Sequence, residues 1–111
     1  MSPHDDAVRL RHMLDHAREA VAALKDKSRA DLDDDRILEL ALLKLVEIIG
    51  EAASRVSDEK RAECPGIPWP QVVGMRNKLV HGYDEVDLAV LWDTVKDDFP
   101  PLIAELEKAL A

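Results

Sequence analysis

The sequence holds a single cysteine, tyrosine and phenylalanine, and only four glycines, in 111 residues. Cys64 alone closes no intrachain disulfide and anchors no multi-cysteine zinc site. Aromatics at 4% and so few glycines argue against β-sandwiches and barrels, whose strands and turns need both. Long apolar runs are also missing. The best, Ile37 to Ile49, is interrupted by Glu39, Lys44 and Glu47, and falls short of the ~18 continuous apolar residues a membrane span requires. Met1 to Arg11 lack the apolar centre of a signal peptide, so the expected location is cytoplasmic, with no membrane partner. Basic charge is scarce too: 15 Lys and Arg against 23 Asp and Glu give a net charge of −8. That balance excludes a general nucleic-acid coat, because phosphate binding is carried by Lys and Arg. Any RNA site must be local.

What is present is a chain able to build a core. Apolar residues make up 47% of it, too many for a disordered polyelectrolyte, and its length suits one domain spanning residues 1–111. Ala7, Leu10, Leu14, Ala17, Val21 and Leu24 alternate spacings of three and four, which predicts a first helix over about Asp5–Asp26. The acidic run Asp31-Leu32-Asp33-Asp34-Asp35 reads as charge complementing a helix N-terminus. A metal site there is the lesser alternative, since adjacent carboxylates on a helix point in different directions.

A second helix is expected over about Asp34–Arg55. Advancing ~100° per residue, Arg36, Glu39, Lys44, Glu47, Glu51, Ser54 and Arg55 gather in just under half of its circumference. Ile37, Leu38, Ala41, Leu42, Leu45, Val46, Ile48, Ile49, Ala52, Ala53 and Val56 fill the rest, with Leu40 and Leu43 on the polar side. One neighbouring helix cannot cover so wide an apolar arc, so this helix is expected to be central and to contribute to a subunit interface. Gly50 lowers helix propensity within it, and close approach of another backbone would account for it.

Ser57 through Trp69 reads as irregular, with Pro65, Gly66 and Pro68 as breakers. A third helix is predicted over about Pro70–His81, with Pro70 in its first turn and Gly82 as its stop. Asp87 should cap a fourth, with Leu88, Leu91, Trp92 and Val95 facing the core. Pro100-Pro101 should kink or break the path before a last helix carrying Leu102, Leu106 and Leu110. No strand-like alternation stands out. The expected fold is all-α, an antiparallel up-and-down bundle of four to five helices.

Charge is unevenly distributed. Between Cys64 and Tyr83 there is no Asp or Glu, yet Arg76, Lys78 and His81 are present, while Asp84 to Ala111 holds eight acids against Lys96 and Lys108. An acid-free island carrying Arg, Lys and His in an acidic protein suits a phosphate. Within Arg76-Asn77-Lys78-Leu79-Val80-His81-Gly82-Tyr83, a continuous helix would put Asn77 and His81 on one face, so that Asn77 orients the imidazole. Arg76 would then lie ~140° from His81, and the two would meet on one phosphate more easily across a two-fold axis than within one chain. The bare Arg-x4-His spacing is weak, because Arg11 to His16 repeats it. His12 and His16, at i, i+4, lack a third metal ligand and read as an exposed pair.

The longer string is specific. Arg-Asn-x-Leu-x-His-Gly-Tyr over Arg76–Tyr83 is preceded by Ile67-Pro68-Trp69 and Val72-Val73-Gly74-Met75. Val46-Glu47-Ile48-Ile49-Gly50-Glu51-Ala52 lies upstream; Val86-Asp87-Leu88, Leu91-Trp92-Asp93-Thr94 and Pro100-Pro101-Leu102 lie downstream. Together these resemble the HepT-like toxins of the HEPN superfamily over nearly the whole chain, with the Arg-x4-His-x-Tyr signature complete. The resemblance implies a small α-helical homodimer, the ribonuclease toxin of a type VII-like toxin–antitoxin pair, acting without a metal or other cofactor. It implies a cognate minimal nucleotidyltransferase (MntA) as antitoxin, which moves AMP from ATP onto the signature tyrosine. By position, Arg76 and His81 would be catalytic and Tyr83 the AMP acceptor. Transfer RNA is a substrate class of the family, and nothing in this sequence selects it.

Metal-free cleavage requires a base to take a proton from the ribose 2′-OH and an acid to protonate the leaving oxygen. Histidine suits either role, and a guanidinium suits the charge gathering on phosphorus. His81 is thus expected to transfer protons and Arg76 to hold the phosphate. Asn77 would orient, Lys78 would steer the substrate, and Glu51 would reach Arg76 or stay in solvent. A reading of another class is a noncatalytic helical dimer whose Arg76–Tyr83 segment binds nucleotide or the nucleotidyltransferase. Salt-sensitive, chelator-indifferent cleavage separates the two.

Overall fold

The computed structural model describes residues 3–82 and 85–111. The chain forms α1 (Pro3–Ala23), α2 (Arg29–Asp33), α3 (Arg36–Ser54), α4 (Asp58–Glu63), α5 (Trp69–Leu79), a two-stranded hairpin of β1 (Val80–His81) and β2 (Glu85–Val86), α6 (Leu88–Asp93) and α7 (Phe99–Leu110). A π-helical turn over Thr94–Asp98 joins the last two helices. The fold is an all-α, HEPN-like bundle. α1 packs against α3 and α7, and α3 packs against α5 on another side. No helix among the described residues is long and apolar enough to cross a membrane.

Within the acidic run, Asp31 and Asp35 serve helix starts, while Asp33 ends α2 and Asp34 is its C-cap. Asp31 completes a capping box with Ser28, Asp33 pairs with Arg29 at 3.0 Å, and Asp35 caps α3 by accepting from the Leu38 N–H at 3.0 Å. The core is one continuous cluster that includes Leu10, Met13, Leu14, Ala17, Leu42, Val46, Ile49, Leu79, Phe99 and Leu106. Of the stripe expected on α1, Leu10, Leu14, Ala17 and Leu24 are buried, joined by Met13 and Ala20, while Val21 is half-buried and Ala7 is exposed. On α3 the apolar arc is narrower than expected. Glu39, expected on the polar side, is buried and paired with Arg36, and Ile37, expected within the arc, is 75% exposed, while Leu40 is exposed on the polar side as expected.

Gly50 does face another backbone. A Cβ there would lie 3.4 Å from the carbonyl oxygens of both Val72 and Val73. This close approach brings α3 and α5 together and sets the registry on which the site depends.

Four expectations are corrected. The segment after Ser57 is not wholly irregular: Ser57 caps α4, accepting from the Lys60 N–H at 3.2 Å. Its hydroxyl also donates to Asp6 at 2.7 Å and its N–H donates to Asp6 at 2.9 Å, tying α4 to α1. The third helix ends at Leu79, not His81, and the chain turns into the hairpin, pairing Val80 with Val86 and His81 with Glu85. Gly82, at φ 72°, serves that hairpin and not the helix end, in a conformation L residues rarely adopt. Finally, Pro100 and Pro101 do not break the path. They fall in the first turn of α7, and the wider π turn before them has the Phe99 N–H donating to the Thr94 carbonyl, so the missing proline donors leave no gap in the helical run.

Candidate active site

Arg76 lies one turn beyond Val73 on α5, and Glu47 lies one turn before Gly50 on α3. Because Gly50 meets the Val72 and Val73 carbonyls, the neighbouring turns bring Arg76 opposite Glu47. The Arg76 Nε–H donates to Glu47 Oε1 at 3.0 Å. The pair is half-exposed, with side-chain accessibilities of 50% for Arg76 and 33% for Glu47. Held at Nε, the guanidinium keeps its terminal N–H groups for a further acceptor, in the fork geometry that matches a phosphate.

Arg76 and Asn77 line a cavity of about 790 Å³ whose other walls are α1 and α3. Glu51 lines it too, but its carboxylate is taken by Arg55 Nε at 2.9 Å. Glu47, not Glu51, is therefore the carboxylate on Arg76. Lys78 points elsewhere: it lines a separate cavity with Asp93, Asp98 and Glu105, between α5 and the α6–α7 run. Two residues along a helix turn a side chain ~200°, which puts Lys78, expected to steer substrate, on a different face from Arg76.

His81 is on β1 and not on a helix, so it does not share a helical face with Asn77 as expected. Its side chain is 59% exposed, with Nε2 3.6 Å from Asp87 Oδ2. That is ion-pair distance, too long for a hydrogen bond. Asp87 is fixed by a second task, capping α6 by accepting from the Val90 N–H at 3.1 Å. The Val90 N–H, and then the His81 imidazole, hold the Asp87 carboxyl below its ordinary pKa, so a carboxylate stands beside His81. His81 does not line the Arg76 cavity. Tyr83 lies outside the described residues. The Cys64 thiol is pushed up in pKa by burial. Among the described residues no three His, Cys, Asp or Glu side chains gather to hold a metal ion.

Reading the sequence alone missed Glu47 and Asp87 as neighbours of the motif. Glu47 was one of several acids on a polar arc; the available signal was its position one turn before Gly50. Asp87 was visible only as a cap, because nothing local predicts a hairpin that returns it to His81.

The sequence profile described as "Ribonuclease HepT-like" matches residues 13–109. "Putative RNase MJ1380" of Methanocaldococcus jannaschii is 33% identical over 107 residues, covering 96% of this chain and 98% of that protein. "Probable ribonuclease HepT" of Thermococcus cleftensis is 36% identical over 99 residues, covering 86% and 90%. "Putative RNase TTE0752" of Caldanaerobacter subterraneus is 32% identical over 101 residues, covering 91% and 90%. No solved structure matches the chain.

Proposed function

The chain belongs to the HepT-like ribonuclease family, and on that premise we propose that it is the toxin of a toxin–antitoxin pair, cleaving cytoplasmic RNA without a metal ion through Arg76 and His81. The observation that carries this reading is the Arg76–Glu47 hydrogen bond. It leaves the guanidinium fork preorganised at the mouth of an open cavity in an otherwise acidic protein.

In the reaction the ribose 2′-oxygen attacks the adjacent phosphorus, its proton passing to a base. The bond from phosphorus to the 5′-oxygen breaks, and an acid protonates that oxygen. The products are a 2′,3′-cyclic phosphate and a 5′-hydroxyl. His81 supplies proton transfer, with the Asp87 carboxylate 3.6 Å from its Nε2. Arg76 neutralises charge on the phosphorane, and Asn77 contacts the substrate from the same cavity.

The active form is a homodimer. Ile37, Leu40 and Val73 are large apolar side chains left exposed, and a second copy would cover them. The separation of His81 from the Arg76 cavity favours a composite groove in which two protomers complete one site.

Control is by AMP transfer to Tyr83 from a cognate minimal nucleotidyltransferase. The tyrosine oxygen attacks the α-phosphorus of ATP and pyrophosphate leaves. The bulk and negative charge attached two residues from His81 repel an incoming RNA phosphate.

The test is incubation of total cellular RNA with unmodified protein in excess EDTA, beside His81→Ala. Cleavage by the parent alone supports the reading. No cleavage by a parent of unmodified mass would leave the noncatalytic dimer.

A further inference from the structure

The cavity at Arg76 carries more cations than the motif explains. Arg9 and His12 reach it from α1, Lys44 and Arg55 from α3. Its two carboxylates are already engaged, Glu47 with Arg76 and Glu51 with Arg55. The side chains of Arg9, His12 and Lys44 make no ion pair among the described residues, and the Arg9 Nε–H is buried without an acceptor. A buried donor in that state calls for a ligand or a water. The chain's net charge is −8, so three unpaired cationic or ionisable donors in one cavity mark a local anion site.

The shape fits a chain better than a single phosphate. Lys44 and Arg55 stand about 16 Å apart along the α3 axis at ~1.5 Å per residue, and Ile48 and Val73 add apolar wall between them. We propose that this cavity is a second phosphate position for single-stranded RNA, where Arg9, His12 and Lys44 hold a phosphodiester flanking the one at Arg76. The inference rests on the ribonuclease reading, but its readout is binding, so the two can fail separately.

The probe is a fluorescein-labelled 2′-O-methyl hexanucleotide, which offers phosphodiesters but no 2′-OH for cleavage, followed by anisotropy across a salt series. Arg9→Gln/Lys44→Gln should weaken binding at least 10-fold and flatten the salt dependence, each lost phosphate contact removing about 0.7 from the log–log slope. Lys44→Gln alone, at an exposed position, should weaken it about threefold and guards against misfolding of the double variant. Lys25→Gln/Lys27→Gln, beyond the far end of α1, changes net charge equally and should bind within about twofold of the parent. Equal weakening by that control, unchanged binding by Lys44→Gln and the double variant, or no binding by the parent at low salt would overturn the proposal. So would AMP competing as well as the hexanucleotide, since the site would then be one for a mononucleotide. A parent that binds the probe with this pattern yet cleaves no RNA would sink the ribonuclease reading and leave the phosphate site standing.

Discussion

Arg76 of α5 donates its Nε–H to Glu47 of α3 at 3.0 Å, and among the described residues no other carboxylate pairs with it. Glu47 is therefore a positioning residue for the guanidinium fork. Glu47→Gln retains an acceptor but loses the charge that fixes Arg76, and should lower kcat about 10-fold with little change in melting temperature. Glu47→Ala should lower it further. Rescue by Gln relative to Ala, read from single-turnover cleavage, distinguishes orientation from a loss of fold.

Gly50 makes that pairing possible. A Cβ there would lie 3.4 Å from two carbonyl oxygens of α5, an ordinary contact, and alanine gains about 1 kcal/mol of helix propensity. Gly50→Ala should thus be neutral to stabilising, by at most about 1 kcal/mol, in thermal melts. Gly50→Leu has no such room and should cost about 1–3 kcal/mol. It should also depress cleavage disproportionately by moving Arg76 away from Glu47.

Asp87 joins the hairpin to the helix that follows. Asp87→Asn keeps a capping acceptor for Val90 and removes the charge 3.6 Å from His81. Its expected signature is reduced kcat with an unchanged melting temperature. Asp87→Ala should lose both, because α6 then starts without its cap.

Stability should fall on the acid side for a defined reason. The Ser57 hydroxyl, followed by the Ser57 backbone N–H, holds the Asp6 carboxyl below its ordinary value of 3.8. A depressed folded pKa means the α1–α4 tie contributes fully above the unfolded value and is lost as pH falls through the folded one. Ser57→Ala removes both the hydroxyl on Asp6 and the cap of α4, and should cost about 1–2 kcal/mol at neutral pH. Its deficit should shrink below pH ~4 in denaturation followed by circular dichroism.

The bundle was legible in the sequence where side chains repeat with helical period or mark an element's start: the stripe from Leu10 to Leu24, the cap at Asp87, and Gly50 as a point of close approach. What escaped depended on contacts distant in sequence. The hairpin at His81 needs only two residues per strand, too few for any alternation to show. The π turn that precedes Pro100 and Pro101 is a register shift with no compositional mark. Arg76 and His81 were found through the family signature, whereas Glu47, Arg9 and Lys44 join the site only because α1, α3 and α5 share a corner.

The most direct test of the central claim is the product chemistry of one labelled RNA cut in excess EDTA by the parent, Arg76→Ala and His81→Ala. The expected result is a 2′,3′-cyclic phosphate and a 5′-hydroxyl from the parent, with each variant slowed at least 100-fold. Products ending in a 5′-phosphate, or undiminished cleavage by either variant, would contradict it.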